Sequence, residues 1–175
     1  EDAALKLLAN SERKVNLLSE ERGFVDFGGD ALFVLDPVDG TRNAYRGIPL
    51  YSVSLAIGNK RVSDIEYGIV RNIPTGDVFT AEKHRGAFFN TTQIRVCEVP
   101  SSEMMSSISL GKNQTMNAVA LSKKGNVRSL GAASLEMCMV ASGALDYYFV
   151  GKEILRVVDI AAATLIVREA GGVVK

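Results

Sequence analysis

Residues 32–45, LFVLDPVDGTRNAY, carry an apolar run into Asp36 and Asp39, three apart, with Pro37 between them and Gly40 and Thr41 behind. A short apolar run that stops at turn residues reads as a buried strand. Four readings compete for the acids at its end: a surface turn, a calcium loop, the phospho-aspartate motif of one phosphatase class, or the metal cradle of another. An EF-hand loop needs acids at alternate positions over about 12 residues and a closing glutamate, and this spacing supplies neither. A phospho-aspartate motif of the form strand-D-x-D-G-T sets its two acids two apart. The spacing here is D-x-x-D-G-T, and strand alternation would point the two acids differently, so that reading is a minor rival.

Downstream of this stretch, YSVSLAI is turned by GNK into IEYGIVRN, and PTG separates that from DVFTAEK. Apolar runs punctuated by glycine, asparagine and proline form the pattern of an antiparallel meander. GAFFNTTQIRVCEV continues it, and SSISLG adds a further strand. Upstream, DAALKLLA has apolar residues at helical spacing, and VNLLSEE reads as a short strand that ends in Glu20 and Glu21. In the last third, AASLEMCMVASGAL and DIAAATLIVREAGG read as helices, with strand-like DYYFV between them. Asp159 is placed to cap the second helix and Gly171 to end it in the left-handed conformation. The sum is an α/β (α+β) layered sandwich with mixed or antiparallel sheets.

With 175 residues, 47% of them hydrophobic, the chain can bury one sizeable core, and residues 1–175 are read as a single domain. Twenty basic residues balance twenty acidic ones, so charge gives no footprint for nucleic acid or an anionic membrane. No run approaches the roughly 18 apolar residues of a membrane span. Cys97 and Cys138 are far apart and match no metal spacing, which with no secretory signal favours a reduced, cytoplasmic chain. Asn90 in NTT and Asn113 in NQT match the glycosylation sequon, and chance accounts for both. His84 is the single histidine and sits in a turn-like AEKHRG. Histidine-dependent nucleophiles and zinc sites would all have to share it. Catalysis by this chain therefore falls to carboxylates, hydroxyls and backbone, the ligands of hard metals.

Glu20 and Asp36 both end strand-like runs, so adjacent strands would bring them to one edge, near Asp39. Carboxylates converging on a partly buried point repel one another unless cations neutralise them. An all-oxygen set of this kind suits Mg²⁺. Gly40 permits close backbone approach, and a short helix opening at Thr41 would aim N–H groups at an anion, phosphate being the natural one.

LDPVDGTRNAYRGIPLYSVSLAI resembles the first signature of the inositol monophosphatase superfamily, and VVDIAAATLIVREAGGVV resembles its second. SEERG is similar to the upstream glutamate motif, and RSLGAASLEMCMVASGALDYYF to the substrate-side helix. Four motifs in order cover most of the chain. SEERG, GALDYY and LRVVDIAA look most like the archaeal-type enzymes acting on inositol monophosphate and fructose 1,6-bisphosphate. The resemblance implies a layered αβαβα sandwich. It makes residues 1–100 a metal-binding meander half and residues 101–175 a substrate-side half.

For the site, the resemblance implies that Glu20, Asp36 and the Val38 carbonyl hold one Mg²⁺, and that Asp36, Asp39 and Asp159 hold a second. Glu21 would orient Glu20 or touch a third ion. Thr41 would hydrogen-bond the attacking water, and the amides of Gly40 and Thr41 would hold the phosphate. Gly131 and Ala132 would lie against sugar or inositol hydroxyls. The implied activity is Mg²⁺-dependent hydrolysis of small phosphate monoesters by a metal-activated water, in a cytoplasmic homodimer. The rivals are an adenosine 3',5'-bisphosphate 3'-phosphatase of the same fold, a dehalogenase-type phospho-aspartate enzyme, and a non-catalytic sugar-phosphate-binding protein. Lys152 and Arg156, ahead of Asp159, lean toward a second phosphate, and Glu153 alone would reverse that lean. The family pattern also implies an intact protein longer at both ends, with an aspartate and a mobile loop before the first helix.

Overall fold

The computed structural model describes residues 1–12, 14–98, 104–109, 125–151 and 155–175. Helix α1 (Asp2–Ala9) leads into β1 (Val15–Ser19), β2 (Gly23–Val25) and β3 (Ala31–Asp39). A six-residue helix α2 (Thr41–Arg46) follows, then β4 (Ser52–Gly58), β5 (Tyr67–Asn72), β6 (Val78–Glu82), β7 (Gly86–Phe89) and β8 (Thr92–Ile94). The last third holds β9 (Met105–Ser109), β10 (Asn126–Arg128), α3 (Ala133–Ala141), β11 (Tyr147–Val150) and α4 (Val157–Glu169).

Eight strands form one sheet in the order β2-β1-β3-β4-β5-β6-β7-β8. From β3 to β8 the sheet is the antiparallel meander that the punctuated apolar runs predict. Two features were not in that prediction: β1 lies parallel to β3, and Gly23–Val25 folds back on β1 as an edge strand. SSIS, residues 106–109, and YYFV, residues 147–150, do form strands, but in a second, three-stranded parallel sheet, β10-β9-β11.

Strand alternation sorts residues to the two faces of the large sheet. Val15, Leu17 and Leu35 pack with Leu8 of α1 on one face. Val34, Ala56, Val70, Phe79, Ala81 and Ala87 face the other, against Ala161, Ala162, Leu165 and Ile166 of α4. Helices α3 and α4 pack on each other, with α3 also against β11, so they separate the two sheets. The described elements thus stack as α1, large sheet, helix pair and small sheet, in the layered arrangement expected. This core is one cluster drawn from Val34 to Ala170, crossing both halves of the chain.

Helix α4 lies very close to the sheet. A Cβ added at Gly68 of β5 would stand 2.9 Å from the Ala162 carbonyl oxygen, so glycine there lets helix backbone rest on strand backbone. The helix opens at Arg156, with Asp159 in its first turn. That corrects the expectation that Asp159 is the cap residue. The Asp159 carboxylate accepts the Arg156 N–H at 2.7 Å, and this bond stabilises a cap three residues further upstream. At the other end Gly171 is left-handed, φ +89°, as expected. Among the described residues no helix is long and apolar enough to cross a membrane.

Candidate metal centre

The parallel register sets Leu18 opposite Val34 and Ser19 opposite Leu35. One residue further along, Glu20 stands beside Asp36, and its N–H donates to the Leu35 carbonyl at 3.3 Å. Leu18 and Val34 both pack toward the helix pair, so the next residues on that face, Glu20 and Asp36, point toward it too. The two acids meet because β1 and β3 are neighbours, as their shared position at strand ends predicts.

Asp36 and Asp39 pose a parity problem, since an odd spacing on a regular strand sends side chains to opposite faces. The structure resolves it with a bulge: Asp36 pairs with Ser54 and Asp39 with Ser52, so β3 spends three steps where β4 spends two. Pro37 lies inside the bulge, where its missing N–H leaves no ladder bond unmade. The Val38 N–H turns to Asp36 Oδ1 at 3.0 Å. The reset alternation brings both carboxylates to the helix side.

Asp36 is only 1% exposed. Burial first, then the charges of Asp39 and Glu20, push its pKa up to about 7, from an ordinary 3.8. Asp39 caps helix α3 from a distance. It accepts the Ala133 N–H at 3.2 Å, the Ser134 N–H at 2.7 Å and the Ser134 hydroxyl at 2.5 Å. Burial still holds its carboxyl above the usual range, with the Asp159 charge adding to that and the Ser134 and Ala133 donors opposing it.

Gly40 turns the chain into α2 with φ +85°, and a Cβ there would meet Ala132 Cβ and the Leu50 carbonyl oxygen, each at 3.1 Å. Glycine is required on both counts. The first amides of α2 have no partner inside the helix. Thr41 Oγ1 donates to the Val38 carbonyl at 2.9 Å.

Asp159 arrives on α4 with Arg156 beside it. Arg156 Nη2 donates to Asp159 Oδ1 at 3.1 Å and to Glu20 Oε1 at 2.6 Å, joining residues 136 apart in sequence. These acceptors hold the guanidinium in its charged form, Glu20 contributing most. The sequence points Arg156 at a second phosphate; the structure places it on the acids.

Glu20, Asp36, Asp39 and Asp159 are therefore drawn together from three segments, while Glu21 is exposed in the turn, its carboxyl raised chiefly by a hydrogen bond with Glu1. As they stand, no three acid, histidine or cysteine side chains among the described residues are grouped to hold one ion. The donors nonetheless fit hard divalent cations. They are all oxygens, burial and then neighbouring like charges push the pKa of one acid toward neutral, and a guanidinium already bridges two of the others. Lys152 and Glu153 lie outside the described residues, as does Asn113. His84 is an exposed turn residue whose N–H, with that of Gly86, donates to Glu169.

Gly131 is exposed and left-handed, and Ala132 is buried. The N–H groups of Leu130, Gly131 and Ala132 all donate to the Glu136 carboxylate at 3.0–3.2 Å, and the Ser107 hydroxyl bonds it as well. Glu136 is 0% exposed, and the Leu130 carbonyl it helps fix accepts from Asn43 Nδ2 of α2 at 2.7 Å. Sequence reasoning missed Glu136 and Ser134. A lone acid inside an otherwise apolar helix was the available signal for the first.

The model of the inositol monophosphatase family matches residues 1–175. The chain is 40% identical over 178 residues to a fructose-1,6-bisphosphatase/inositol-1-monophosphatase of Thermococcus kodakarensis, covering 99% of this chain and 65% of the relative. It is 37% identical over 182 residues to a bifunctional NADP phosphatase/NAD kinase of Methanococcus maripaludis, covering 90% of this chain and 32% of that one. A crystal structure of an inositol monophosphatase-fructose 1,6 bisphosphatase superposes with a TM-score of 0.87 at 34% identity, over 97% of this chain and 66% of the other. The chain thus spans about two thirds of the length of the first kind of relative and about one third of the second.

Proposed function

We propose that this chain, which belongs to the inositol monophosphatase family, hydrolyses small phosphate monoesters with Mg²⁺, inositol monophosphate and fructose 1,6-bisphosphate being the first candidates. The observation that carries the reading is the convergence of Glu20, Asp36, Asp39 and Asp159 beside the glycine-led start of α2. The names of its relatives agree with phosphatase chemistry.

In this reading Glu20, Asp36 and the Val38 carbonyl hold one ion, and Asp36, Asp39 and Asp159 a second. When bound, such ions neutralise the acids, polarise phosphoryl oxygens and lower the pKa of a nearby water. Thr41 Oγ1 has committed its proton to the Val38 carbonyl, so its lone pairs face outward as acceptors for the O–H of the attacking water. The free amides of Gly40 and Thr41 donate to the phosphate. Asp39, held by two amides and a hydroxyl of α3, ties the position of the cradle to the loop whose exposed residue, Gly131, faces the alcohol part of the substrate, with Ala132 buried behind it. Glu21 lies one position beyond this set and orients Glu20 through the turn. The same reading makes the protein a cytoplasmic homodimer.

A second reading, a phosphate monoester on an adenine nucleotide, is favoured by the 37% identity to a protein named for NADP phosphatase activity. Phosphate release from inositol 1-phosphate, fructose 1,6-bisphosphate and NADP, each with Mg²⁺ and with EDTA, ranks the three substrates. Release from either of the first two that EDTA abolishes is the expected result. Release from none transfers the site to a purely binding role.

A further inference from the structure

We propose that Arg156 is the resident counter-cation of the acidic centre and that ion loading displaces its guanidinium; the inference rests on the metal-site reading above. Arg156 Nη2 donates to Glu20 Oε1 at 2.6 Å and to Asp159 Oδ1 at 3.1 Å, oxygens of two carboxylates assigned there to different ions. Among the described residues it is the only basic side chain paired with any of the four acids. A guanidinium on these oxygens competes with divalent ions, because the cations repel one another at contact distance and the fork takes up acceptor sites that the ions also use.

The anchoring is arranged for exchange. The Arg156 main chain stays fixed by its N–H bond to Asp159 Oδ2 at 2.7 Å, at the start of α4. Its side chain is 55% exposed, so it can leave toward solvent by rotation alone, with no movement of the helix. Two of the four acids then have a positive partner before any ion is bound: the arginine holds Glu20 toward Asp159 until ions arrive. Once released, its planar fork remains next to the cradle and matches a phosphate oxygen pair.

The test is calorimetric titration of Mg²⁺ and Mn²⁺ into EDTA-stripped, dialysed protein without substrate, for wild type, R156Q and R156K, together with melting of the stripped proteins. Exposed ion pairs are individually weak, so the first ion binds R156Q about three- to tenfold more tightly than wild type. Stripped R156Q melts below wild type, since Glu20 and Asp159 then lack their partner. R156K decides between displacement and simple repulsion. Lysine keeps the charge but cannot fork across two acids, so displacement makes R156K bind more tightly than wild type. Affinity in R156K equal to wild type, or in R156Q equal to or weaker than wild type, overturns the inference and leaves the metal site intact. No ion binding by any of the three proteins overturns the inference together with the reading beneath it.

Discussion

Replacing Asp36 by asparagine removes one negative charge from the most crowded point of the centre and keeps the shape of the side chain. The asparagine carbonyl can still accept the Val38 N–H that Asp36 Oδ1 accepts at 3.0 Å, so the bulge at Pro37 survives. In ion-free protein the folded-state pKa of Asp36 is pushed from 3.8 to about 7. Between those values the folded state binds more protons at this group than the unfolded chain does. Folded stability therefore falls as pH rises through that window and is level above it. A rise of about three pH units, at about 1.36 kcal/mol each, corresponds to about 4 kcal/mol. Asp39 and Glu20 supply part of the push and relax once it is relieved, so D36N should gain about 2–4 kcal/mol in EDTA at about pH 8. For a chain of this length that raises the melting temperature by about 5–11 °C. The gain should vanish near about pH 4, where Asp36 is protonated in the wild type. Mg²⁺ should then raise the melting temperature of the wild type and leave D36N unmoved, because the shared ligand is gone. Thermal unfolding by circular dichroism at several pH values, with EDTA and with Mg²⁺, measures all of this. A D36N protein no more stable than wild type at about pH 8 would refute the argument that Asp36 is a strained carboxylate awaiting a cation.

Two further substitutions probe the frame around the centre. Gly40→Ala combines a left-handed backbone, φ +85°, with contacts of 3.1 Å to Ala132 Cβ and the Leu50 carbonyl, and should cost about 2–3 kcal/mol in urea unfolding together with most of the phosphatase activity. Glu169→Ala takes the acceptor from the His84 and Gly86 N–H groups and should cost about 1 kcal/mol in the same assay. Because Glu169 is the last residue of α4 and Asp159 lies in its first turn, roughly 15 Å apart along the axis, phosphate release should stay at the wild-type rate.

Strand β3 and the meander after it were readable because local apolar runs and turn residues coincide there. The parallel pairing of β1 with β3 depends on two distant segments, and no pattern within either announces the direction. Pro37 was visible as a stiff element, but the bulge it permits was not. Strict alternation therefore predicted that Asp36 and Asp39 point differently, and the register shift brings them to one side. Gly40 and Thr41 open α2 as their spacing predicts. For α4, the acid that looks like a cap lies inside the first turn, because its partner is the main chain of Arg156 rather than its own successors. The destination of the Arg156 side chain was set by Glu20, 136 positions away, a relation that only the assembled fold contains.

The close approach at Gly68 also fixes the spacing of the centre. Three of its acids come from the sheet, Glu20 at the end of β1 and Asp36 and Asp39 on β3, and one comes from α4; at Gly68 what separates sheet from helix is main chain against main chain. Because Ala162 lies one helical turn from Asp159, that contact bears directly on the gap between Asp36 and Asp159. The spacing of the centre thus rests in part on a van der Waals contact between two backbones, which tolerates no side chain at position 68.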